Sequence, residues 1–179
     1  MTVFIALLRA VNVGGKGKLA MADLRAMAGE MGLAAPQTLL QSGNLVFSAK
    51  GKAAELESAL EAETARRFGV KTSFLIRTAA EWDALIAANP FPEEARDDPS
   101  HMVAMPLRHA PAADALQALR ETIRGREKAE VAGRTLYLVY PDGIGTSKLT
   151  IAIIERKLGT IGTGRNWNTV LKLKALAAA

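Results

Sequence analysis

Val3-Phe4-Ile5-Ala6-Leu7-Leu8 is an unbroken apolar run, flanked by Thr2 and Arg9. A short run with no polar alternation is what a central β-strand buried on both faces looks like. It commits the chain to a sheet with covered faces. The 179 residues, 49% apolar and 23% charged, are enough to bury such a core and exclude a mostly disordered chain. The length itself lies between one large domain and two small ones.

The rest of the chain supplies partners for that strand. Asn12 to Lys18 is a Gly/Lys loop that ends it, and Leu24, Met27, Ala28 and Met31 recur at helical spacing up to Gly32. Thr38-Leu39-Leu40 and Leu45-Val46-Phe47 read as two short strands around the turn Ser42-Gly43-Asn44. Leu56, Leu60 and Phe68 line one face of a second helix, with Glu57, Glu61, Arg66 and Arg67 on the other and Gly69 as its stop. Val70 to Arg77 then completes the order β-α-β-β-α-β, the split βαβ or ferredoxin-like unit.

A helix at 79–88, carrying Trp82, Leu85 and Ile86 and stopped by Asn89-Pro90, leads into a second series. It reads as a strand at 101–105, a helix at 112–124, a hairpin of 127–131 with 134–140, and a helix at 148–158. A terminal helix from about residue 167 takes the place of a last strand. The predicted fold is α+β: duplicated ferredoxin-like βαββαβ units with antiparallel sheets and an extra C-terminal helix, the first unit at 1–78 and the second at 79–179. Segment 89–100, with three prolines and four acids, reads as a linker or long surface loop.

The chain has no cysteine, so disulfides, thiolate zinc sites and thiol nucleophiles are excluded. The apolar start is broken at Arg9, too short for a signal core or a membrane span, and a cytoplasmic protein with no membrane association is expected. The net charge of +5 is unevenly spread. Residues 148–179 hold six Lys or Arg against Glu155 alone, and residues 1–52 hold six against Asp23 and Glu30. If the two ends meet, they make a basic face able to attract phosphates.

Four segments could carry chemistry. Gly14-Gly15-Lys16-Gly17-Lys18 lies between strand and helix, where backbone N–H groups can hold an anion, but it has neither the P-loop nor the dinucleotide-binding spacing. Gln41-Ser42-Gly43-Asn44 is read first as a hairpin turn, and otherwise as neutral donors and acceptors beside the basic loop. Thr163-Gly164-Arg165-Asn166-Trp167-Asn168-Thr169 combines a cation, two amides, two hydroxyls and an indole at a helix start. Ser147-Lys148 opens another helix, with Ser147 as its cap. The candidate ligand-binding set is therefore Arg9, Asn12, Gly14, Gly15, Lys16, Lys18, Gln41, Ser42, Asn44, Lys148, Arg165, Asn166 and Asn168.

Catalytic chemistry finds little support. His101 and His109 are the only histidines, and His101 with Asp97 and Asp98 is a weak metal constellation. No nucleophile elbow occurs and no residue is nominated as a general base, a metal ligand or a cofactor contact.

Three stretches resemble a known family: Ile5-Ala6-Leu7-Leu8-Arg9-Ala10-Val11-Asn12-Val13-Gly14-Gly15, Gln41-Ser42-Gly43-Asn44 and Arg165-Asn166-Trp167-Asn168-Thr169. Asn89-Pro90-Phe91 and Ser147-Lys148-Leu149 fall in order between them. The chain is similar over essentially its whole length to the bacterial family catalogued as domain of unknown function 1697. Ala10 stands where members often have Gly. The resemblance implies an α+β fold of ferredoxin-like repeats and implies no activity.

Three functional readings follow. The first is a binding protein for a phosphate-bearing ligand, nucleic acid or nucleotide, on the basic Gly/Asn surface. RNA-recognition sheets offer only an analogy of fold, since five per cent of this chain is aromatic. The second is an enzyme acting on a small anionic substrate there, with Ser42 or Asn44 polarising a bond. The third makes the motifs architectural, with their amides buried on backbone groups.

Overall fold

The computed structural model describes residues 1–13 and 17–179. The chain divides into two compact units, Met1–Ala84 with Lys172–Ala179, and Leu85–Leu171. Among the described residues, seven α-helices and two four-stranded antiparallel sheets make a mixed α+β protein.

In the first unit the apolar run forms β1 (Thr2–Leu8), followed by α1 (Met21–Glu30), β2 (Ala34–Thr38), β3 (Asn44–Ala49), α2 (Ala53–Phe68) and β4 (Phe74–Thr78). The sheet order is β2-β3-β1-β4, which puts β1 inside. Phe4, Ala6 and Leu8 face one way and share a core with Leu45, Phe47, Phe74 and Ile76 from the sheet, Leu24 and Met27 from α1, and Leu60 from α2. Phe4 and Phe47, opposite each other in register, stack with ring centroids 5.7 Å apart. Ile5 and Leu7 on the other face are equally buried, as a run without alternation requires.

Three sequence expectations shift here. The strand placed at Thr38–Leu40 lies earlier, at Ala34–Thr38, and Leu39 and Leu40 enter the turn, where Leu40 has φ 60°. An edge strand tolerates Pro36, so its proline is no bar. β4 begins at Phe74 rather than Val70. Glu57 and Glu61, read as the solvated face of α2, instead accept from the backbone N–H groups of Ile76 and Phe74, each at 2.9 Å. The outer edge of β4 is thereby closed by carboxylates, which blocks pairing with another strand.

The second unit begins in α3 (Ala79–Ala87), which spans the division. Segment 89–100 is not a bare loop: it holds α4 (Pro92–Asp97) and a 3₁₀ turn, Pro99–His101. Pro92 at the first turn and Glu93 and Glu94 behind it are favourable at a helix N-terminus, so the same prolines and acids that read as loop start a helix. Then come β5 (Met102–Pro106), α5 (Ala115–Arg120), β6 (Lys128–Ala132), β7 (Thr135–Val139) and α6 (Ile151–Leu158). The terminal helix does not replace a last strand: β8 (Arg165–Asn166) comes directly before α7 (Trp167–Ala178). Two residues are too few to leave a periodic signal, and pairing with β5 is what makes them a strand.

This sheet has the order β6-β7-β5-β8. Val103, Met105, Leu136, Leu138 and Tyr140 from one face pack with Leu119 of α5 and Ile154 and Leu158 of α6. The helices at 112–124 and 148–158 are shorter than their apolar spacing suggested, at 115–120 and 151–158. Thr150 rather than Ser147 caps α6, accepting from the Ile153 N–H at 3.4 Å. No helix among the described residues is long and apolar enough to cross a membrane.

Candidate functional site

In the first unit the β1–α1 loop and the β2–β3 turn are brought together, and Asn12 joins them. Its Oδ1 accepts from the Leu19 N–H at 2.8 Å, and its Nδ2 donates to the Leu19 carbonyl at 2.9 Å and the Gln41 carbonyl at 2.8 Å. Both ends of the amide are thus spent on backbone. Asn44 is fully buried, its Nδ2 donating to the Leu39 carbonyl at 2.7 Å and to Ser42 Oγ at 3.1 Å. Gly43 sits at φ 90°, where a Cβ would come within 2.8 Å of Leu8 and Val11 side-chain carbons, so glycine is required twice over. These are the bonds of a turn and a loop clamp. Gln41 and Ser42 are exposed, as is Lys18, and Arg9 is half-buried. Gly14, Gly15 and Lys16 lie outside the described residues.

In the second unit the segment Gly162–Asn166 runs antiparallel alongside β5. Gly164 permits this, since a Cβ there would stand 2.7 Å from Val103 Cγ1. Arg165 pairs with Ala104 and Asn166 with Val103, so their side chains leave opposite faces of the sheet. Arg165 is buried. It donates to Thr163 Oγ1 and to the Gly164 carbonyl, both at 2.9 Å, and burial lowers its pKa to about 10, which leaves it charged at neutral pH. Asn166, exposed, caps α7: its Oδ1 accepts from the Thr169 N–H at 3.0 Å and from Thr169 Oγ1 at 3.2 Å. Asn168 is exposed on the first turn of α7.

Beside Asn166 a cavity of about 320 Å³ opens on the face of the sheet that carries Val103, Met105 and Leu138. Tyr140 forms a wall, Ile144 and Ile151, both exposed, stand at the mouth, and Ser100, His101 and Asn166 supply polar side chains. No Lys or Arg is among the described residues lining it. Tyr140 donates to the Leu149 carbonyl at 3.1 Å, and burial pushes its phenol up to about 12, so it is a neutral wall. His101 Nδ1 lies 2.8 Å from Asp98 Oδ2.

The family described as "Protein of unknown function (DUF1697)" matches residues 1–137. This chain belongs to that family. The match takes in Asn12, Gln41, Ser42 and Asn44 and ends before Lys148 and the 163–169 segment. Among solved structures, a conserved bacterial protein, SP0830 from Streptococcus pneumoniae, is similar with a TM-score of 0.78 and 21% identity over 98% of each chain. That likeness is one of fold. No curated protein matches the chain.

Lys148 lies away from the cavity of this family member, in a shallow polar pocket with Glu127, Asp142 and Ser147. The Ser147 hydroxyl donates to Glu127 Oε1 at 2.6 Å and, with nearby backbone N–H groups, holds that carboxyl below its usual range. Among the described residues no three acid, His or Cys side chains gather to hold a metal ion. The sequence offered His101 only as part of a weak metal constellation with Asp97 and Asp98, and gave no sign of Ser100 or the apolar floor of the cavity. The floor looks like ordinary core, and only Gly162-Thr163-Gly164, two glycines flanking a hydroxyl before Arg165, hinted that a neighbouring strand needed room.

Proposed function

We propose that this protein is a binding protein for a small molecule, seated in the second unit against the β5–β7 face of its sheet. One observation carries the reading: the cavity of about 320 Å³, apolar over its floor and mouth and polar along one side. Ligand pockets share that size and that division of labour, with apolar surface for affinity and a few polar groups for orientation. The test is thermal unfolding with a library of uncharged compounds, run beside Ile151→Trp, which fills the mouth. A ligand at a hundredfold excess over its Kd adds about 2.7 kcal/mol, or about 5–10 °C for a chain of this length. The tryptophan should abolish that shift while changing the unliganded Tm by no more than about 2 °C, as an exposed substitution does. A wild-type protein stabilised by no compound, or a shift that survives Ile151→Trp, refutes the reading.

A second reading keeps the first unit as a site for a phosphate-bearing ligand, nucleotide or nucleic acid. Its support is Lys18, exposed beside Gly17 in a loop that Asn12 clamps, in a part of the chain where basic residues outnumber acidic ones. Affinity falling steeply with salt would favour it, and no binding of oligonucleotide or nucleotide at low salt would end it. The sheet orders β2-β3-β1-β4 and β6-β7-β5-β8 support describing the units as duplicated ferredoxin-like folds, with α7 as the addition. The absence of cysteine supports a cytoplasmic setting.

A further inference from the structure

Two polar side chains of the cavity are oriented by bonds within the fold, and those bonds fix what each has left for a ligand. Asn166 stands directly opposite Val103, so its side chain shares the cavity face. Because its Oδ1 is taken by the Thr169 N–H and hydroxyl, the exposed group is Nδ2, a donor. His101 has Nδ1 at 2.8 Å from Asp98 Oδ2. An ionised carboxylate only accepts, so Nδ1 carries the proton and Nε2 of the neutral ring is an acceptor. Ser100 Oγ donates to the other Asp98 oxygen at 3.4 Å, so the hydroxyl hydrogen is directed to Asp98 too.

The charge around this pair argues against an ionic ligand. The cavity is lined by no described cation to meet an anion, and Asp98 sits behind His101 to repel one. A cation would meet the Asn166 donor and an apolar floor of Val103, Met105 and Leu138, while the Asp98 carboxylate already has both oxygens engaged, by His101 and Ser100. What remains is a neutral molecule that both donates and accepts.

We infer that the cavity takes an uncharged ligand with an apolar body and an amide-like edge, such as a primary carboxamide or a lactam ring. Its N–H donates to His101 Nε2 and its carbonyl accepts from Asn166 Nδ2, while the body rests on the floor of the cavity. This rests on the reading of the cavity as a ligand site.

The experiment is an NMR titration of the ¹⁵N-labelled full chain with benzamide, benzoate and benzylammonium, three probes of one size and different head charge. Benzamide should bind at least about tenfold more tightly than either ion, since each ion leaves one rim group unmatched in a poorly solvated place. Asn166→Asp keeps an oxygen for Thr169 and so keeps the cap of α7, but replaces the donor by a carboxylate. In that variant benzamide should weaken about tenfold and benzylammonium should overtake it. A purely structural Asn166 would leave the order of the probes unchanged, which would overturn the inference. Benzoate or benzylammonium equalling benzamide in the wild type, with Ile151→Trp abolishing all three, overturns the ligand class and leaves the cavity reading standing. If no probe binds, or all bind Ile151→Trp as well as wild type, the cavity reading falls and this inference with it.

Discussion

Replacing Asn12 by alanine measures how far the polar loops of the first unit are architecture. The substitution deletes three hydrogen bonds, from the Leu19 N–H and to the Leu19 and Gln41 carbonyls. At about 0.5–1.5 kcal/mol each, and with the Gln41 bond exposed and so at the low end, they sum to roughly 2–3 kcal/mol. Asn12 also sits at φ 55°, a left-handed conformation that asparagine adopts at lower cost than alanine, which adds about 1 kcal/mol. The expected loss is therefore about 3–4 kcal/mol, or roughly 6–16 °C in Tm. Trp82 lies in the first unit and Trp167 in the second, so urea denaturation in a Trp167→Phe background lets Trp82 report the unit in question. Asn12→Asp separates the bonds: it keeps the acceptor for Leu19 but turns a carboxylate oxygen toward two carbonyls, and should be no more stable than the alanine variant. Exchange of the Leu19 amide should accelerate in the alanine variant. A Tm within about 1 °C of wild type, with Leu19 still protected, would refute the clamp and return Asn12 to the candidate ligand set.

Two further expectations concern titration. Tyr137 and Tyr140 are the only tyrosines, and burial pushes both phenols up to about 12. A pKa raised on folding gives stability that is present below the unfolded value, about 10, and lost as pH rises toward 12. Phenolate absorbance should therefore stay low through pH 11 and then rise together with unfolding; a simple titration near pH 10 in the folded protein would contradict the burial. Glu63 is held down to about 2 by hydrogen bonds from Arg66 and Arg67. A depressed carboxylate stabilises above its unfolded pKa and loses that contribution as pH falls toward 2, so Glu63→Gln should flatten the acid limb of the stability profile and leave its alkaline limb alone. An unchanged acid limb would show that solvent screens the pair.

The legible part of this protein is the part set by local pattern. Val3–Leu8 announced a doubly buried strand because a strand without alternation has no face for water, and the Phe4 and Ile5 faces are both buried. The 3.6-residue spacing of Leu24, Met27 and Ala28 announced α1, and Gly69, read as the stop of α2, ends it in a left-handed cap. The α+β class and the antiparallel sheets followed from the order of such elements.

Tertiary structure decided what the polar residues are for, because a side chain's role depends on which groups meet it. Asn12 and Asn44 carry the same amide as Asn166, yet the first two are consumed by backbone carbonyls 7, 29 and 5 residues away and the third keeps its donor exposed. Glu57 and Glu61 were indistinguishable in sequence from solvated charges until a strand edge was placed beside them. β8 is two residues long and exists through its pairing with β5. That pairing sets Asn166 on the face of Val103 and Arg165 on the other, a choice between solvent and burial that no spacing in the heptad 163–169 contains. The sequence by itself determined the strands, the helices and the kinds of chemistry at hand. Only the fold, by bringing distant residues within hydrogen-bond distance, determined which of those groups remain for a ligand.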